Sequence, residues 1–312
     1  MRTRHLVDPE LLALADAFPT LTFNNENLPR IRAMAETLTT SVDCASFGIE
    51  KREIIVPQEG DAPSVRCLLY EPVGGPLTDA AYFQIHGGGF IMGRVEDGEA
   101  RNVKLASKLG MTVMAVSYRL APENPYPAGL NDCYRALVWL AENASDFGVS
   151  PDRIAVGGDS AGGCMAARLC LYARDQGGPQ IVFQNLIYPV LDDRTGQLGG
   201  TIDPTLGELI WTPENNRYAW AALIGSNDPA DVAPARATSL KGLPPTMITV
   251  GALDLFLDED IAYARRLLHD EVACSLIVYP GAFHGFDLAG ESKVAQRFEN
   301  DILSGLKTGL GL

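Results

Sequence analysis

The stretch GGDSAGG, residues 157–163, joins the run DRIAV (152–156) to CMAARLCLYARD (164–175). The apolar run before it predicts a strand, and the pattern after it predicts a long helix. Glycine pairs suit a sharp strand-to-helix turn, where side chains would collide with the neighbouring strand and helix. They do not explain the serine. Gly158-Asp159-Ser160-Ala161-Gly162 matches G-x-S-x-G, a turn that lifts a serine hydroxyl clear of a sheet and aims the first amides of a helix at the space beside it. The pentapeptide alone also suits a capped helix start. A phosphate loop is disfavoured, because no G-K-[ST] follows.

A serine hydroxyl needs a base to take its proton, and the base needs a partner to orient it. The chain has four histidines. His5 lies in the leader and His269 on a helical face, while His86 opens a glycine run. His284, in YPGAFHGFD, follows a strand, where catalytic groups of open α/β sheets gather. It is the expected base. The orienting acid should lie between serine and histidine in chain order, again past a strand. Asp254, after PPTMITVGAL, fits. Asp258, Glu259 and Asp260 read instead as an acidic first helical turn that complements the helix dipole. Asp159 is too close to Ser160 to reach the far side of an imidazole.

The run HGGG, residues 86–89, directly follows the strand-like AYFQI. Consecutive glycines let backbone amides approach a substrate closely, and such donors stabilise the negative charge that acyl transfer places on a carbonyl oxygen. Gly87, Gly88 and Gly89, with the amide of Ala161, are therefore the expected oxyanion hole.

Around these motifs, strand-like runs lie at 47–56, 64–71, 80–85, 112–117, 152–157, 181–187, 245–250 and 274–279. From residue 80 they mostly alternate with helical patterns near 97–109, 128–145, 161–175 and 258–270, and a last helix is expected at 291–308. That alternation predicts an α/β fold with a mainly parallel sheet. The first two strands have no helix between them and predict an antiparallel edge. At the amino terminus Asp8-Pro9 is a helix-start signal, with Leu11, Leu14, Ala15 and Phe18 on one face. Leu28, Ile31, Met34, Ala35 and Leu38 mark a second apolar stripe. Residues 190–240 break the rhythm and read as an insertion packed over the sheet.

The formal net charge of the 312-residue chain is −14. That disfavours nucleic acid and anionic membrane surfaces as partners. No run approaches a membrane span. MRTRHLVDPELLALADAF has no uninterrupted apolar stretch or small-residue cleavage site, so it reads as mature protein. The six cysteines are scattered without C-x-x-C, so free thiols and a cytoplasmic location are expected.

HGGGFIMG (86–93), SYRLAPENPYPAGLNDCYRAL (117–137), GGDSAGG, GALDLFLDE (251–259) and YPGAFHGF (279–286) occur in an order and spacing that resemble the hormone-sensitive-lipase-like family of α/β-hydrolase esterases. The likeness spans residues about 65–290. One departure is Leu255, where the family more often has proline. The resemblance implies an α/β-hydrolase fold with an eight-stranded sheet and a helical cap. The expected division is 1–45 for amino-terminal cap helices, 46–189 for the core, 190–240 for the cap insertion and 241–312 for the rest of the core. It implies Ser160, Asp254 and His284 as a triad, an anchoring role for His86, and a loop-stabilising role for Arg119 and Glu123. No metal or cofactor is implied, and a homodimer through the outermost strand is admitted.

The expected activity is hydrolysis of short-chain carboxylic esters, small-molecule substrates, with Phe23, Phe90, Tyr188 and Trp211 as candidates to wall the pocket. An amidase, peptidase or lactonase would use the same machinery. A non-catalytic small-molecule receptor is the alternative of another class: plant gibberellin receptors resemble this family but lack the histidine that stands here with its whole motif.

Overall fold

The computed structural model describes residues 2–18, 21–38, 41–199 and 203–312, with the Leu38 side chain outside the described set. The strands are β1 (Ile49–Val56), β2 (Val65–Pro72), β3 (Ala81–Ile85), β4 (Thr112–Val116), β5 (Ile154–Asp159), β6 (Ile181–Ile187), β7 (Thr246–Gly251) and β8 (Cys274–Tyr279). They form one eight-stranded sheet in the order β1-β2-β4-β3-β5-β6-β7-β8. β1 and β2 pair antiparallel, as does β2 with β4, and every later pairing is parallel. The sheet and its antiparallel edge thus follow the sequence expectation.

The helices are α1 (Leu12–Ala17), α2 (Leu28–Leu38), α3 (Glu99–Leu109), α4 (Ala128–Glu142), α5 (Ala161–Gln176), α6 (Pro213–Ile224), α7 (Pro229–Val232), α8 (Leu257–His269) and α9 (Lys293–Leu310). Covering both faces explains why the central strands read as unbroken apolar runs. Along β3, Ala81, Phe83 and Ile85 face a core shared with α4, α5 and α8, while Tyr82 faces a second core shared with α3 and α9.

Asp8 caps the amide of Glu10 as expected, but the first turn is a tight 3-10 turn (Pro9–Leu11) before α1 begins. Leu11 and Ala15 are buried, whereas Phe18 falls past the helix and is exposed. In α2, Leu28 and Ile31 are buried and Met34 is exposed. Arg32, on another face, anchors the helix instead. Its guanidinium donates to the carbonyls of Ile91 and Ala121 and pairs with Glu123. A guanidinium suits this place, because it can reach two carbonyls and a carboxylate at once.

Asp258, Glu259 and Asp260 form the acidic first turn of α8, as expected, with Asp258 exposed. Glu259 and Asp260 are buried. Glu259 accepts from the backbone amides of Leu191 and Asp192, pinning the loop that leaves β6. Neither oxygen of Asp260 has a hydrogen-bond partner among the described residues. Burial pushes both carboxyls well above their ordinary range, with neighbouring carboxylates adding to the effect.

Candidate active site

Four chain segments converge at the carboxyl ends of parallel strands. Ser160 follows β5, the glycine run follows β3, Asp254 follows β7 and His284 follows β8. Because β7 and β8 are neighbours, the acid and the histidine emerge about 5 Å apart before any loop is built. Their loops are laced together: Ala252 N–H donates to Tyr279 O (2.9 Å) and Leu253 N–H to Ala282 O (2.8 Å).

At the end of β5 the backbone turns sharply. Ser160 has φ 56° and ψ −119°, a conformation side chains rarely adopt. The turn is held by Ser160 N–H donating to Ile187 O (2.8 Å) and Val190 N–H donating to Ser160 O (3.2 Å). A β-carbon on Gly158 would meet Ile85 O at 2.4 Å, and one on Gly162 would meet the same oxygen at 2.1 Å. Both glycines of G-x-S-x-G are therefore required by close approach to β3.

The serine hydroxyl lies 2.9 Å from His284 Nε2, and His284 Nδ1 lies 2.8 Å from Asp254 Oδ2. Asp254 is fully buried, and its other oxygen accepts the amide of Phe256 at 3.0 Å. The carboxylate thus fixes the imidazole with its proton on Nδ1 and its lone pair toward the serine. Ser160 and His284 are each only 6 % exposed. The ring of Phe256 meets the imidazole edge-on at 5.2 Å, and that of Tyr188 at 4.8 Å.

The glycine run passes directly over the serine. Gly88 and Gly89 have φ 109° and 59°. The position of a β-carbon on Gly87 lies 3.5 Å from Ser160 Cβ. His86 secures the run from behind. Its Nδ1 lies 2.8 Å from Gly87 O, its ring stacks on Tyr118 at 4.3 Å, and the Tyr118 hydroxyl donates to His86 O. Burial lowers the basicity of this imidazole, which suits a neutral anchor. Arg119 pairs with the buried Asp132, while Glu123 pairs with Arg32 of α2. Of the remaining histidines, His5 and His269 are exposed.

Of the four aromatic candidates, Trp211 and Tyr188 lie near His284, and Phe23 packs on Trp211. Trp211 lies 5.8 Å from Phe23 and 6.3 Å from His284, centroid to centroid. Tyr188 touches His284 but turns its hydroxyl to Asp287. Phe90 packs against Trp220, so its ring belongs to the contact between the glycine run and α6. Sequence reasoning missed the side chains that hold the aromatics. Asn216 accepts from the Trp211 indole at 3.2 Å and donates to Thr195 O. Asn215 accepts from Phe23 N–H and donates to Leu21 O. Adjacent asparagines inside an otherwise apolar helix, after the start signal Thr212-Pro213, were the available clue. Leu255, the departure from the family pattern, is buried and packs against Gly207 of the insertion.

Among the described residues, no three metal-ligating side chains stand close enough to hold an ion, and no helix is long and apolar enough to cross a membrane. All six cysteines are unpaired.

A strained serine after β5, a histidine after β8 and glycine amides after β3 define a serine-hydrolase type of α/β sheet. A profile of the alpha/beta hydrolase fold matches residues 82–288. The chain is 34 % identical over 267 residues to esterase LipI of Mycobacterium tuberculosis, covering 84 % of this chain and 82 % of that protein. It is also 34 % identical over 292 residues to carboxylesterase NlhH of the same organism, covering 90 % and 88 %. Among solved structures, a bacterial heroin esterase superposes with a TM-score of 0.90 at 35 % identity, covering 99 % of both chains. The chain belongs to the α/β-hydrolase family, in its hormone-sensitive-lipase-like branch.

Proposed function

We propose that this carboxylic ester hydrolase works through Ser160 as nucleophile, His284 as general base and acid, and Asp254 as the group that orients and stabilises the imidazolium. Ser160 Oγ attacks the acyl carbonyl while His284 Nε2 accepts its proton. The amides of Gly88, Gly89 and Ala161, with Gly87 adjacent, receive the developing oxyanion. Collapse expels the alcohol, protonated by His284, and leaves an acyl-serine. Water, deprotonated by the same nitrogen, then releases the acid. The observation that carries this reading is the unbroken relay from hydroxyl to imidazole to carboxylate at 2.9 and 2.8 Å.

Short acyl chains are the preferred substrates in this reading, because Trp211 stands 6.3 Å from His284 and against Gly89, with Phe23 packed on it. Residues 1–45 and 190–240 act together as a cap over the 46–189 and 241–312 core. Asn215 and Tyr218 of α6 bond to Leu21, Phe23 and Asn25, which supports that division. Six unpaired thiols support a reducing, cytoplasmic setting.

The test replaces Ser160 with alanine and assays p-nitrophenyl esters of rising acyl length. The expected loss in kcat is about 10⁶-fold, with wild-type activity highest on the shortest chains. Undiminished hydrolysis by Ser160→Ala would refute the assignment.

A further inference from the structure

Beside the imidazole lies a chain of polar contacts that the relay does not use. Tyr188 leaves β6 with φ 33°, and its amide is held by Thr249 O at 2.6 Å. Its ring meets the His284 ring edge-on at 4.8 Å. Its hydroxyl donates to Asp287 Oδ1 at 2.8 Å. Asp287 sits three residues past His284, in the 3-10 turn Phe286–Leu288. Its second oxygen accepts from Arg101 of α3. Arg101 also pairs with Glu299 of α9 at 3.1 Å and stands 4.0 Å from Asp159, the neighbour of the nucleophile.

We propose that Tyr188 is a positioning residue for the hydrolysis: the Arg101–Asp287–Tyr188 chain fixes both the ring that backs the imidazole and the turn that carries it. This rests on His284 being the base. The geometry makes the two functions of the bond inseparable. A hydrogen bond from Tyr188 to Asp287 links the β6 exit loop to the histidine loop, so the ring that limits rotation of His284 is tied to the backbone that His284 hangs from. Without the bond, the imidazole can swing away from Ser160 Oγ, and the fraction of molecules with a bonded hydroxyl falls.

The charge pattern supports the same role. Asp159, Asp287 and Glu299 surround one guanidinium. Burial opposes the Arg101 cation, and the carboxylates of Asp287 and Glu299 outweigh it and hold the group well above its ordinary basicity. The cation therefore stays in place to balance carboxylates that would otherwise repel one another beside the nucleophile turn. Removing Arg101 frees Asp287 from its second anchor and loosens the Tyr188 bond.

The experiment compares wild type, Tyr188→Phe, Asp287→Asn and the double variant, all checked for native circular dichroism. Each is assayed for kcat and KM on p-nitrophenyl acetate and for the rate of Ser160 labelling by a fluorophosphonate. Tyr188→Phe should lower kcat and the labelling rate together by about tenfold, the effect of one lost hydrogen bond, with KM nearly unchanged. The double variant should lose less than the product of the two single losses, since both changes act on the Tyr188–Asp287 contact while Asp287→Asn also weakens the Arg101 pair. Arg101→Met should share the defect and Arg101→Lys should recover part of it. A Tyr188→Phe enzyme with wild-type kcat and labelling rate overturns the proposal, as do fully multiplicative losses in the double variant. Absence of labelling in the wild type would instead refute the triad itself, so the two failures are separable.

Discussion

The indole of Trp211 occupies the space that a side chain on Gly89 would need: a β-carbon there would meet Cη2 at 2.2 Å. Residues 190–240 and the glycine run are therefore in direct contact, and Trp211 bounds the proposed oxyanion hole. Gly89 also holds φ 59°. Gly89→Ala should lower kcat/KM by at least about 10²-fold, the scale of one lost oxyanion donor. Because the clash is with one movable ring, Gly89→Ala/Trp211→Ala should regain part of the loss, while the φ strain persists. Steady-state kinetics on an acetyl ester distinguish the outcomes: no recovery in the double variant would mean that backbone strain alone carries the effect.

Trp211 is also locked. Asn216, fully buried on α6, accepts its indole N–H, and Asn216 is itself tied to Thr195 O. A rigid wall of this size near His284 should exclude long acyl chains. Trp211→Ala should move the preferred p-nitrophenyl ester from two-carbon toward eight-carbon acyl groups, read as a lower KM for the octanoate. Asn216→Ala should move it the same way by less, because it frees the ring without removing it. An unchanged chain-length profile in Trp211→Ala would place the limiting wall elsewhere.

The eight strands and the main sheet helices were legible in the sequence because a parallel sheet covered on both faces imposes apolar runs and regular alternation. The relay was legible because each member follows a strand and the turn glycines have no alternative. The insertion was legible only as a break in the rhythm at 190–240, without its helices. Its helix α6 carries Asn215, Asn216 and Arg217 among apolar residues, so hydrophobic periodicity is weak there, and its partners lie about 190 residues away in the amino-terminal segment. The acidic first turn at Glu259 and Asp260 was legible, but their burial was not. An acidic first turn looks the same whether solvent or a buried loop receives it, and only the packing of Leu191 and Asp192 decides.

Asp254 is buried with one oxygen on His284 and one on the amide of Phe256. Asn in its place keeps the shape but presents an amide that favours the wrong imidazole tautomer. Asp254→Asn should therefore reduce kcat by about 10⁴-fold with little change in KM and no change in fold. Retention of more than about a tenth of wild-type kcat would remove Asp254 from the relay and return attention to the neighbouring carboxylates.

Asp260 gives a stability prediction whose sign is set by its pKa direction. The carboxyl is buried without a hydrogen-bond partner among the described residues, and burial holds its folded-state pKa well above the ordinary 3.8. Its contribution to stability is therefore fully present below about pH 3.8 and is lost as pH rises toward the folded value. Over that window the unfolded chain is ionised and the folded one is not, which costs about 1.4 kcal/mol per pH unit. Asp260→Asn cannot ionise, so the variant escapes this loss, while the penalty of its own buried amide is the same at every pH. The difference in Tm between variant and wild type should grow in the variant's favour as pH rises above about 3.8, for as long as the folded carboxyl stays protonated. Thermal melts across a pH series decide it. A constant difference would mean that Asp260 is ionised in the folded protein and has found a partner.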